Sequence, residues 1–182
     1  MEKRAHVPLQ HRIAVTGGTG FLGRALIRAL VSDGKTVVAL ARLPAKLREL
    51  QEEFGPETLL VVEGDLNDQR AIDDIVDGAD AVVHCAALTH ARTKGAFTEA
   101  NVEGSANVGR AAFNSGALLV AISSIAARQP QLSDYAASKR AGELASVAAV
   151  DAQDGRVSSS TLKGSGPAQW TILRAPALYG PG

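Results

Sequence analysis

Short apolar runs recur along the chain at 13–15, 37–40, 59–62, 81–85, 118–122 and 171–174. They are rich in β-branched residues and lack polar alternation, so they predict strands buried on both faces. Between them, the spacing of apolar positions predicts helices over about 22–32, 44–53, 68–76, 96–115 and 134–150. Boundary residues agree with these limits. Asp33 with Gly34, Gly78 and Gly116 stand where the first, third and fourth helices end, and Ser133 stands where it would cap the fifth. Alternation of this kind predicts an α/β fold, a doubly wound parallel sheet with helices on both faces. Two stretches break the pattern. Residues 151–169 are rich in Gly and Ser and predict a loop, weakly ordered over about 154–166. The last strand then runs into the turn Tyr179-Gly180-Pro181-Gly182.

Composition narrows the class without naming it. The 182 residues make room for one domain with a sizeable core, a polar lead at 1–12 followed by a single unit at 13–182. The formal net charge is zero and 46% of residues are hydrophobic. There is no basic excess to suggest nucleic acid. The longest apolar stretch, near 117–122, is far too short to span a bilayer. The lead carries Glu2, Lys3 and Arg4 without an apolar core, unlike a secretory signal. The single cysteine, Cys85, allows no internal disulfide and suits a reducing compartment, so a cytoplasmic location is expected. Cys85 reads as a small buried strand residue. His84 and His90 have no third ligand at metal spacing, so they read as structural and no metal is expected.

The chemistry begins at Thr16-Gly17-Gly18-Thr19-Gly20-Phe21-Leu22-Gly23, which follows the first apolar run and opens the first helix. Strand, glycine turn and helix form the layout that binds a dinucleotide pyrophosphate, which makes the expected sheet Rossmann-type. Gly17 permits the tight turn, Gly20 admits the phosphates, and Gly23 allows close packing of the helix. The helix start at Phe21 and Leu22 supplies unpaired N–H groups and a partial positive charge. Far downstream, Tyr135 and Lys139 stand four apart, on one face of a helix. A free phenol has a pKa of about 10, and a neighbouring ammonium favours its ionised form. Such a pair suits proton exchange with a substrate hydroxyl or carbonyl, an effect typically worth roughly 10²–10⁴-fold.

These motifs resemble the short-chain dehydrogenase/reductase superfamily, in its extended branch of NAD(P)-dependent epimerases, dehydratases and reductases. Gly64-Asp65-Leu66, His84-Cys85-Ala86-Ala87, Asn101-Val102-Glu103-Gly104, Ser123-Ser124 and Leu173-Arg174 follow the glycine turn in the order of that branch. The resemblance implies hydride transfer on a small-molecule carbonyl or hydroxyl substrate, with Tyr135 exchanging the proton. It gives Lys139 a second role on the nicotinamide ribose, makes Ser124 the hydroxyl that bonds the substrate oxygen, and has Asn101 help hold the helix and a water. It sets Asp65 and Leu66 beside the adenine, and Ala86 and Ala87 along the dinucleotide. In relatives the helices matching 96–115 and 134–150 often pair in a homodimer. The small residues of the second suit that pairing and internal packing equally.

Cofactor choice is read more locally. An acid selecting NAD would stand at the end of the second strand, about twenty residues past the glycine turn. That place holds Ala41, with Arg42 next. No carboxylate is there to bond a ribose 2′-hydroxyl, and Arg42 can pair with a 2′-phosphate. NADP is therefore the expected cofactor, with NAD the alternative. Three departures qualify the resemblance. The interval from Ser124 to Tyr135 is short, no Asp-Glu pair follows Ser124 as in sugar 4,6-dehydratases, and the 182 residues lack the smaller C-terminal substrate region of the branch, which a truncation or a region supplied by a partner would explain. Two functions follow: an NADP-dependent oxidoreductase or epimerase, or a catalytically incomplete dinucleotide-binding module acting as a fragment or redox-sensing scaffold.

Overall fold

The computed structural model describes residues 11–154 and 170–179. The lead at 1–10, the predicted loop past Asp154 and the turn at 180–182 lie outside the described residues. The chain runs β1 (Arg12–Thr16), α1 (Phe21–Ser32), β2 (Thr36–Ala41), a 3₁₀ turn (Pro44–Leu47) into α2 (Arg48–Phe54), β3 (Leu59–Glu63), α3 (Gln69–Val76) and β4 (Ala81–His84). Then come α4 (Lys94–Phe97), a π turn (Thr98–Glu103), α5 (Gly104–Ser115), β5 (Leu118–Ser124), two 3₁₀ turns, α6 (Asp134–Asp154) and β6 (Trp170–Ala175). All pairings are parallel, in the order β3-β2-β1-β4-β5-β6. Strand order reverses between β1 and β4, where doubly wound sheets open a crevice at the strand C-termini.

The continuous apolar runs of β1 and β2 follow from burial on both faces. Ala14 and Val38 point into one core with Ile72 and Ile75 of α3 and Val108 of α5. Val15, Val37 and Ala39 point the other way, onto Ile27 of α1 and Leu47 and Leu50. The later strands depart from the expectation of full burial. β5 alternates buried and half-buried positions, and β6 is mostly exposed, with Trp170 and Leu173 among the exposed large side chains. The second core gathers residues of β1, β2 and β3 but none of β4, β5 or β6. Among the described residues, β3 and β6 are the two edge strands of the sheet.

The helix expected at 96–115 begins earlier, where Thr93 Oγ1 accepts the Ala96 N–H at 3.2 Å. It is also interrupted by the π turn, a rare geometry that often marks functional positions. The predicted strand 81–85 stops at His84, and Cys85 sits in the following loop with its N–H on Thr16 O. Ser133 caps α6 as expected, its Oγ accepting the Ala136 N–H at 3.0 Å. Of the small residues of α6, Ala136 and Gly142 are buried, whereas Ala137 and Ala148 are exposed, and glycines on both α5 and α6 allow close approach inside the chain. A side chain at Gly109 would run into the Ser146 carbonyl, and one at Gly142 into that of Asn101. No described helix is long and apolar enough to cross a membrane.

Candidate dinucleotide cleft and Tyr–Lys site

A cleft of about 440 Å³ opens at the switch point, between the ends of β1, β2 and β4. Of the expected cofactor residues, Gly17, Gly20, Arg42, Asp65, Leu66, Ala86 and Ala87 line it. Gly17 has φ +74°, and a Cβ there would lie 2.5 Å from the Ala86 backbone nitrogen. Only glycine lets the two loops approach this closely. Gly23 lies beneath, where a Cβ would collide with the Gly17 carbonyl. Helix packing there is thus against the turn itself. Phe21 and Leu22 do not line the cleft with their side chains, and they bring their backbone amides to the first turn of α1. That turn has no side-chain cap and no acidic residue, so its amide groups and partial positive charge are uncompensated. A pyrophosphate fits such a cradle.

Ala41 ends β2 in register with Glu63, and exposed Arg42 follows at the cleft wall. The Asp65 loop is held from both sides. Asp65 Oδ1 accepts the N–H groups of Asn67 and Asp68 at 2.8 and 3.2 Å, and Asn107 Nδ2 donates to Leu66 O at 2.8 Å. The cap of α3 is Asp68, whose Oδ1 accepts from Ala71 N. Sequence reasoning missed Thr19, Asn67 and Glu99 in the cleft wall. Asn67 Nδ2 donates to Glu99 Oε1 at 3.0 Å, across 32 positions of sequence. Local spacing carries no signal for such a contact.

Tyr135 and Lys139, also expected to bind the dinucleotide, do not line this cleft; their helix is tied to it through Asn101, which bonds both Leu88 of the cleft wall and Ser138. Lys139 Nζ donates to Ile122 O at 2.9 Å. Burial pulls its pKa below the ordinary lysine value, with the Glu143 carboxylate and the Cys85 sulfur opposing. Burial pushes the Cys85 thiol up to about 11, so it stays protonated, although the Lys139 charge opposes this. The Tyr135 ring tilts against Phe97, with centroids 6.2 Å apart. Ser124 ends β5 half-buried, and its Oγ accepts the Ala126 N–H at 3.2 Å. Its hydroxyl hydrogen is not used in that bond. Neighbouring Ser123 is buried; among the described residues its Oγ makes no hydrogen bond of good geometry, yet it lies near enough to the Glu143 carboxylate to help hold that group's pKa down.

The structure gives Asn101 a bracing part. At 2% exposure, its Oδ1 accepts Leu88 N–H at 2.7 Å, while Nδ2 donates to Leu88 O and Ser138 Oγ, each at 2.9 Å. Ser138 Oγ donates in turn to the Tyr135 carbonyl at 2.8 Å. The amide is thus occupied by the Leu88 loop and α6.

Glu143 was not anticipated. It continues the Tyr135–Lys139 stripe by four more residues and is 2% exposed in its side chain. Arg174 Nε and Nη2 donate to its two oxygens at 2.7 Å each, and Arg140 Nη1 adds a bond at 2.9 Å. Burial alone would raise its pKa, but hydrogen bonds led by those from Arg174 outweigh burial and hold it at about 2. The repeat of the four-residue spacing was the signal available. A small cavity of about 10 Å³ is lined by Ser123, Lys139 and Glu143 among others.

Comparison with known proteins accords with this geometry. The family model for the NAD dependent epimerase/dehydratase family matches residues 13–182. Ceramide reductase of Caulobacter vibrioides is 43% identical over 173 residues, covering 93% of this chain and 47% of that protein. Pen from Bacillus thuringiensis superposes with a TM-score of 0.71 at 26% identity, covering 91% of this chain and 49% of that one. A short-chain dehydrogenase/reductase superfamily protein of Agrobacterium tumefaciens, solved with bound NAD, superposes at 0.68 and 27% identity, covering 90% and 48%. The chain spans about half the length of the relatives it matches. It belongs to the NAD dependent epimerase/dehydratase family.

Proposed function

We propose that this family member binds NADP(H) in the switch-point cleft and carries the proton-transfer half of a carbonyl reduction on Tyr135, Lys139 and Ser124. The observation behind the reading is that the Asn101 amide bonds Leu88, which lines the glycine-turn cleft, and also Ser138, which holds the Tyr135 carbonyl, so one side chain joins the dinucleotide cradle to the helix of the Tyr–Lys pair. The bound dinucleotide supplies a hydride. Ser124 donates its unused hydroxyl hydrogen to the substrate oxygen, and Tyr135 gives that oxygen its proton as the carbonyl carbon is reduced to an alcohol. Lys139 uses one of its three donors on Ile122 O and turns the rest to Tyr135 and the nicotinamide ribose. Its positive charge stabilises the phenolate left behind. The ceramide reductase relative favours reduction over epimerisation and makes ceramide-type lipids the first substrates to test.

Selection of NADP rests on Arg42 with Ala41 beside it. A charge-assisted bond to the 2′-phosphate is worth roughly 1.5–3 kcal/mol, or about ten- to a hundredfold in affinity.

Tyr135→Phe tests the catalytic assignment. It removes one hydroxyl and leaves the Phe97 contact, so NADPH-dependent turnover falls by about 10²–10⁴-fold while NADPH binding is kept. Turnover that survives the substitution contradicts the assignment. Binding of NADPH by the wild-type chain without turnover supports the alternative, a dinucleotide-binding module.

A further inference from the structure

His84 closes β4 at 3% exposure, and both of its nitrogens are engaged. Nδ1 lies 2.7 Å from Thr16 Oγ1, and Nε2 lies 3.0 Å from Ser105 Oγ. The tautomer follows from what the partners can do. Ser105 has one hydroxyl hydrogen, which it donates to the Asn101 carbonyl at 2.8 Å. A carbonyl only accepts. Ser105 therefore accepts from His84, which places the ring hydrogen on Nε2 and the lone pair on Nδ1. Thr16 then donates to Nδ1, and its oxygen lies 3.4 Å from Ala86 N, which donates to it. Burial, reinforced by the charge of Lys139, pulls the ring pKa down to about 3, so the ring is neutral near physiological pH.

The two ends of this contact do different work. On the Thr16 side, the bond to Ala86 N sets the loop that packs against Gly17, where the two walls of the cleft meet. On the Ser105 side, Asn101 holds Ser138, and Ser138 holds the carbonyl of Tyr135. We propose that His84 is a positioning residue, fixed as its Nε2–H tautomer, that ties the glycine turn to the Tyr135 helix through one hydrogen-bonded chain, Thr16–His84–Ser105–Asn101–Ser138–Tyr135. The functional half of this inference rests on the dinucleotide reading above. The ring takes no proton from substrate. It holds two separately encoded parts of the site at one spacing.

The tautomer is read without any cofactor, by long-range ¹H–¹⁵N NMR of the labelled chain. The expected result is a protonated Nε2 and an unprotonated Nδ1 for His84, unchanged from about pH 5 to 8. A proton on Nδ1, or titration within that range, overturns the proposal. In the same spectra, Thr16→Val shifts the amide signals of Tyr135 and Ser138; a perturbation that stops at His84 also overturns it. Two substitutions then separate the ends. His84→Asn puts an oxygen near the place of Nδ1 and keeps Thr16, so NADPH affinity stays within about threefold of wild type. His84→Gln puts an amide near the place of Nε2, keeps Ser105 and releases Thr16, which weakens NADPH about tenfold, the size of one neutral hydrogen bond. Equal effects, or the reverse order, contradict the positioning role. Failure of the wild-type chain to bind NADPH sinks the dinucleotide reading and with it the cofactor half, while the spectra still decide the tautomer and the chain.

Discussion

Gly23→Ala abolishes dinucleotide binding and destabilises the chain by about 2–3 kcal/mol, the upper range for an overpacked position. The added methyl would collide with the carbonyl of Gly17, and Gly18 Cα lies only 2.8 Å away. Both neighbours are backbone, so no flexible side chain can swing aside. Gly17 cannot retreat either, because it is packed against Ala86 and Cys85. The strain is relieved by moving the start of α1, and with it the amides of Phe21, Leu22 and residue 23 that form the phosphate cradle. Gly34→Ala is the control. Gly34 also has positive φ, +74°, but nothing lies within 4 Å of its would-be Cβ. Its cost is only the left-handed conformation, about 1–2 kcal/mol, with NADPH binding kept. Urea unfolding and calorimetry on the two variants check both statements. Wild-type affinity in Gly23→Ala would contradict the account of the turn.

Arg174→Ala costs about 3–5 kcal/mol, the penalty for leaving a buried charge short of its partner. Arg174 supplies two of the three charge-assisted bonds to Glu143 and reaches it from β6, so its loss also loosens that edge strand from α6. Denaturant titration reads the effect, and a change below about 1 kcal/mol would show the pair to be solvated instead. The same group sets an acid limit. The folded pKa of Glu143, about 2, lies below the ordinary glutamate value of 4.5. The unfolded state therefore takes up the proton first as pH falls. Stability from this group is fully present above about pH 4.5 and is lost progressively toward pH 2, in total on the order of 3 kcal/mol. Arg174→Ala flattens that acid dependence because the depressed pKa returns toward its ordinary value.

The parts of the fold that the sequence revealed are those where local pattern and burial coincide. β1 and β2 are covered on both faces, so their apolar runs are unbroken, and the glycine turn needs its residues at fixed offsets for backbone reasons alone. β6 shows the limit of that reasoning. Thr171, Ile172 and Leu173 read as buried, yet a strand's composition does not say whether a helix covers it, and Leu173 is exposed. The π turn left no mark in the spacing either, although it is the element that carries Asn101. Within the site, Tyr135 and Lys139 were legible because a helix converts four-residue spacing into a shared face. Glu143 follows the same rule one turn later, but its importance depends on Arg174, 31 positions away. His84 meets Thr16 across 68 positions and Ser105 across 21. Such contacts exist only once parallel strands place the ends of β1 and β4 side by side.

Titration calorimetry of the chain with NADPH and with NADH, at one salt concentration, tests the central claim most directly, with Arg42→Ala beside the wild type. The predicted result is saturable NADPH binding about ten- to a hundredfold tighter than NADH, with the gap closing in Arg42→Ala. Equal affinities for the two would contradict the role of Arg42. Binding of neither would contradict the cleft itself.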